Sequence, residues 1–225
     1  TEGDPNMNTQ IYSIPIVRYG PLLLGFMDVF RCTDARDLSK AGVIYTQLVS
    51  SRDGRNWERV GDRTPIVDIG QRGSWDGGHI GSAKSLVEDG QEIRLYYTGT
   101  GQPHGGQKTG YWKKAIGMVR WRKDGFVGLL SDGEGEVVTM PIPASRELHI
   151  NANASSGRIT AELLHEDGSA VDGFESGNCV PLAGQDSLDH QFEWQDTAMS
   201  SVEEGQEKAI RLRLRDAEMF SLWWE

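Results

Sequence analysis

The run "GVIYTQLVSSRDGRNWERV", Gly42 to Val60, decides how this chain reads. A strand-like segment ends in Arg-Asp-Gly, and a second strand-like segment with a Trp follows. Asp53 is either a reactive carboxylate beside a charged neighbour or the brace of a turn. The chain answers by repeating itself. "AIGMVRWRKDG", Ala115 to Gly125, ends in the same way, so Asp53-Gly54 and Asp124-Gly125 occupy equivalent places between strand-like runs. Asp-Gly is a preferred hairpin-turn pair because its central positions favour positive φ. Asp53 reads as a turn residue.

The repeat extends upstream. "IYSIPIVRYG" (Ile11–Gly20) lies over "GSAKSLVEDG" (Gly81–Gly90), and "PLLLGFMDVF" (from Pro21) over "QEIRLYYTGT" (from Gln91). Each unit of about 70 residues reads strand, tight turn, strand, longer loop, strand, Asp-Gly turn, strand. Four antiparallel strands per repeat is the pattern of a β-propeller blade. The longer loops, Thr33–Ala41 and Gly101–Lys114, fall at the same place in both repeats. "SRDGRNW" also resembles the Asp-box of sialidase-type propellers, in which the Asp braces the turn and the Trp packs under it.

The period stops after Leu129. "ELHINANA", "GRITAELLHEDGSAVDGF" and "HQFEWQ" read as strands, with another Asp-Gly turn at Asp167-Gly168. In "AIRLRLRDAEMFSLWWE", Ile210, Leu212 and Leu214 alternate with Arg211, Arg213 and Arg215, the mark of a strand with one buried and one wet face. No segment has a helical period, although Thr197–Gly205 has room for one short turn. The expected fold class is all-β: two four-stranded propeller blades (about 8–63 and 75–130, within residues 1–133), followed by a β-sandwich over 134–225.

Composition agrees. The chain of 225 residues has 28 glycines and ordinary apolar content (37%), as a turn-rich β protein should. A net charge of −10 argues against a nucleic-acid partner. No apolar run is long enough for a membrane helix. Cys32 and Cys179 lie far apart and read as two buried thiols. The five histidines are scattered without metal-ligand spacing, so neither a metal nor a cofactor is expected.

The order and spacing of "SRDGRNWERVGDRTP", "GSWDGGHI", "EIRLYYTGTG", "AIGMVRWRKDGFVGL" and "GRITAELLHEDGSAVDGF" resemble the propeller-type glycoside hydrolases of families thirty-two and forty-three. Those proteins have five-bladed propellers, and in family thirty-two a C-terminal sandwich follows. The resemblance implies that the chain corresponds to the C-terminal part of such a protein. Five blades of this size need roughly 350 residues, so upstream blades or other copies of the chain are expected to complete the ring. It also implies that the catalytic carboxylate triad belongs to earlier blades, and no catalytic residue is assigned here. The implied function is action on or binding of carbohydrate, outside the cytoplasm or in the periplasm. The alternative is a non-catalytic carbohydrate-binding or scaffolding protein.

In a propeller the innermost strand of each blade faces the axial cleft. Trp75, Asp76 and His79 open that strand in the second repeat, and Asn6, Asn8, Gln10 and Tyr12 match them in the first. Sugars take aromatic faces and shared hydroxyl hydrogen bonds, so Trp75, Asp76, His79 and Tyr12 are the candidate substrate-binding residues. Trp75 packing between blades and Asp76 capping a turn are the structural alternatives. Asp28 and Arg31 interrupt an apolar run, either facing the cleft or forming an internal ion pair, the pair being the expectation. Tyr96 and Tyr97 are expected in blade core and rim, and His104 on a solvated loop.

Overall fold

The computed structural model describes residues 9–32, 41–105 and 114–225. Asn6, Asn8 and most of the two long loops lie outside the described residues. The chain is all-β and divides into two compact units, Thr1–Trp121 and Arg122–Glu225.

Unit 1 carries one sheet. β1 (Thr9–Ser13) and β2 (Ile16–Tyr19) pair with β3 (Leu22–Cys32), which pairs with β4 (Gly42–Ser51), which pairs with the short β5 (Glu58–Arg59). All of these contacts are antiparallel, so β2–β3–β4–β5 is a four-stranded meander. The second repeat supplies β6 (His79–Asp89), β7 (Glu92–Thr100) and β8 (Lys114–Arg122). The β2–β3 and β6–β7 hairpins match: Tyr19 faces Leu22 and Asp89 faces Glu92. Both turn through a glycine with positive φ, Gly20 at 53° and Gly90 at 54°, a conformation that costs a residue with a Cβ far more. One parallel bridge, Ile44 to His79, joins the two repeats.

The Asp53 turn is built from side chains. Asp53 Oδ1 accepts the backbone N–H groups of Arg55 and Asn56, each at 2.8 Å, and Oδ2 accepts Asn56 Nδ2 at 2.7 Å. These donors hold its carboxyl well below the usual carboxylate range. Trp57 donates its indole N–H to Gly54 O and packs on Met27, Val29 and Val49.

The second repeat departs from the first at its last strand. β9 (Leu129–Val138) follows Asp124-Gly125, but it pairs with β15 (Glu207–Trp224) rather than with β8. Asp124-Gly125 is therefore a crossover rather than a hairpin tip, and Asp124 itself takes the positive φ, 57°. Unit 2 accordingly begins at Arg122, earlier than the expected boundary near residue 134. The Arg122 guanidinium bonds Asn151 Oδ1, Asp186 Oδ1 and Ser187 O, and covers the Phe220 ring at 4.3 Å.

Unit 2 is organised on β15. β12 (Arg158–Leu164) and β11 (Leu148–Asn153) pair with successive parts of it, as do β10 (Ile142–Pro143) and β9. β13 (Leu182–Ala183) extends β12, and β14 (Asp186–Phe192) extends β11. Ile210, Leu212 and Leu214 are buried, as their alternation with arginine predicts, and join Ile150, Ile159, Leu163, Phe174 and Phe192 in one core. Met199–Ser201 form the single 3-10 turn among the described residues. Cys32 and Cys179 are both buried, and burial pushes the Cys179 thiol up to about 11.

Candidate functional site

The first strands of both repeats break at matching places. In β1 the register shifts between Ile11 and Ser13, and β6 is irregular between Ser82 and Leu86. Bulges turn side chains away from the regular alternation. Here they open a cleft of about 480 Å³, with Tyr12, Asp28, His79, Ser82, Tyr96 and His104 among its lining residues.

Asp28 forms the floor. It is 3% exposed and accepts Ser13 Oγ at 2.7 Å, Thr46 Oγ1 at 2.8 Å and Ser82 Oγ at 3.2 Å. Burial raises its pKa, and the hydroxyl donors only partly oppose that rise. The expected Asp28–Arg31 ion pair is not formed. Residues three apart on a strand point to opposite faces, and Arg31 instead lines a separate cleft with Gln47, Asp62 and Asp68.

Two histidines and a tyrosine make one wall. His79 donates from Nδ1 to Gln102 O at 2.8 Å, with Nε2 left as an acceptor in the neutral ring. Burial lowers its pKa, the Gln102 carbonyl opposes this, and the charges of His104 and Lys114 lower it further. His104 is half-buried rather than solvated: its backbone exchanges hydrogen bonds with Gly42. Its Nε2 lies 2.9 Å from Tyr12 Oη, and its ring meets those of Tyr12 and Phe30 edge-on.

Trp75 and Asp76 lie beside this cleft, one layer behind Tyr97. Tyr97 donates to Asp76 Oδ2 at 2.9 Å, and Ser74 donates to Asp76 Oδ1 at 2.8 Å. Burial, the bond to Asp76 and its charge push the Tyr97 phenol up to about 12. Trp75 stacks on Tyr97 at 5.7 Å and covers Gly99, where a Cβ would lie 2.6 Å from its ring. Trp75 remains 38% exposed. Of the four candidates, the fold thus brings Tyr12 and His79 into the cleft and sets Trp75 and Asp76 as a buttress to Tyr97. Gln10 of β1 pairs with Phe30 of β3 and is exposed. Asp28, His104 and the Ser13–Ser82 pair complete the site.

Among the described residues lining the cleft, Asp28 is the only carboxylate. Glycoside hydrolysis ordinarily takes two, on opposite sides of the bond.

No family model matches the chain, and no curated protein matches it. Among solved structures, one of a BT0996–RGII complex aligns at 14% identity with a TM-score of 0.39. The alignment covers 49% of this protein and 33% of that one.

Proposed function

We propose that the unit 1 cleft binds carbohydrate, within a protein of the propeller glycoside hydrolase type. One observation carries this reading: a buried carboxylate held by three hydroxyls lies beneath exposed tyrosines. Aromatic faces suit the C–H surface of a pyranose. The Ser13 and Ser82 hydroxyls can donate to or accept from sugar hydroxyls, whereas the Asp28 carboxylate and His79 Nε2 of the neutral ring can accept from them. Tyr12, 58% exposed, and Tyr96, 43% exposed, are the stacking surfaces. A single carboxylate among the described lining residues favours binding over hydrolysis by this cleft alone. The catalytic pair of such a protein then comes from other blades, and its setting is extracellular or periplasmic.

Titration of the chain against an array of neutral and acidic oligosaccharides, read by calorimetry, tests the proposal. Saturable binding that falls about tenfold in Tyr12→Ala and in Asp28→Asn supports it. No binding across the array, or binding unchanged in both variants, overturns it. Release of reducing ends from the bound sugar by this chain would replace the binding role with a catalytic one.

A further inference from the structure

The edge of unit 2 gathers a different set of side chains. Register pairs Leu148 with Trp224 and His149 with Trp223. The pairing continues past the strand ends, because Glu225 N–H donates to Glu147 O at 2.9 Å and Glu147 N–H to Glu225 O at 3.1 Å. Alternation therefore puts Glu147, His149 and Glu225 on one face. His149 Nε2 lies 3.3 Å from Glu147 Oε2 and 3.8 Å from Glu225 Oε2, and all three ligand atoms are within 4.8 Å of one another. A tetrahedral ion with bonds of about 2.0–2.2 Å holds its ligands roughly 3.3–3.6 Å apart. The observed spacings need only small side-chain rotations to meet that.

The far side of the ring supplies a second, independent observation. His149 is 7% exposed, its ring is stacked on Trp223 at 5.5 Å, and Nδ1 lies 2.6 Å from Asp189 Oδ1. A carboxylate accepting from Nδ1–H fixes the tautomer that leaves the Nε2 lone pair outward, and it makes that nitrogen a better donor to a metal. With Nδ1–H given to Asp189, the buried Nε2 faces Glu147 at 3.3 Å and Glu225 at 3.8 Å, where a metal ion takes the place of the proton that Nε2 otherwise shares with Glu147. A cation between them satisfies all three. The Glu147 and Glu225 side chains are 47% and 71% exposed, so an ion has a path in and a place for water as a further ligand.

We propose that Glu147, His149 and Glu225 form a binding site for a divalent transition-metal ion, with Asp189 as its positioning residue. The site staples one end of the β11–β15 pair. No local spacing in the sequence announces it, because Glu225 joins Glu147 and His149 only through the strand pairing.

Calorimetric titration of the chelator-treated 225-residue chain with zinc chloride tests this, with thermal melting as the second readout. The expected result is one zinc per chain with a dissociation constant of about 10 µM or tighter, and a rise in Tm on loading. Glu147→Gln and Glu225→Gln, both at exposed positions, each weaken binding at least about tenfold. Asp189→Asn weakens it by about 10–100-fold with the stoichiometry kept. His149→Gln abolishes it, but because that residue is buried the two glutamate variants decide the matter. Absence of saturable binding below about 100 µM, or binding unchanged in the Glu147→Gln/Glu225→Gln double variant, overturns the proposal.

Discussion

Two aspartates in unit 1 show how one residue type takes opposite roles. Asp53 lies in the open, surrounded by N–H donors that favour its charge. Asp28 lies under the cleft, where burial disfavours the charge and three hydroxyls limit the penalty. Its raised pKa means that the native state takes up a proton at higher pH than the unfolded chain does. Stability from this group therefore grows as pH falls through the folded value and is lost as pH rises through it. Asp28→Asn removes the buried charge, so its Tm should exceed the parent's by a few degrees at neutral pH. That gap should close as pH is lowered toward the ordinary aspartate value. A variant less stable than the parent at pH 7 would show that the hydroxyl cage already outweighs the cost of burial. The expected pairing of Asp28 with Arg31 failed because it set aside the strand period, which turns residues three apart to opposite faces. Trp75 and Asp76 were not readable, because they precede the strand in a loop that has no period.

At the scale of the element, β15 explains the arginine stripe. Arg211 sits directly across from Glu162 of β12, while Arg213 faces Glu136 and Arg215 faces Glu134 of β9. Glu162, with 8% of its side chain exposed, lies 2.8 Å from Arg211 Nη1 and 3.5 Å from Arg213 Nε. Burial acts to raise its pKa, but bonds from Arg211 and Ser176 and the charge of Arg213 together leave it lowered. With the folded value below the unfolded one, its contribution is complete above the ordinary glutamate range and disappears as pH falls through the folded value. Glu162→Gln should cost unit 2 about 2 kcal/mol in urea unfolding at pH 7 by leaving partly buried arginines short of a partner. That difference should fade at acid pH. A cost independent of pH would point to packing instead. The stripe's alternation marks the strand; its carboxylate partners lie tens of residues away, and no local pattern reveals them.

At the scale of the molecule, the repeat was legible because hairpin chemistry is local: Gly20 and Gly90 mark the same turn twice. The fate of the second repeat was not legible, because β9 reads as an ordinary strand whichever sheet it joins. Its alignment with β15 depends on long-range pairing. Tyr12 and His79 could be placed on the first strands of their repeats from the pattern, but the cleft they line could not. The matched bulges that open it have no sequence signature. Unit 1 also exposes Ile11 (58%), Ile16 (51%), Met118 (45%) and Ile116 (74%) on its strands. Exposed apolar groups on strands favour association. Light scattering of the 225-residue chain should show mass rising with concentration, and Ile116→Lys should shift it toward monomer. A strictly monomeric parent at high concentration would remove the case for copies of this chain completing a ring.

The partner choice of β15 sets the timing of birth for unit 2. Val138 of β9 pairs with Arg211, and Leu148 of β11 with Trp224. During synthesis, β9, β11 and β12 therefore leave the ribosome with their shared partner still untranslated, and their apolar faces wait. Contacts this distant in sequence slow folding, so the interval before residue 224 emerges is when a nascent chain most needs a chaperone.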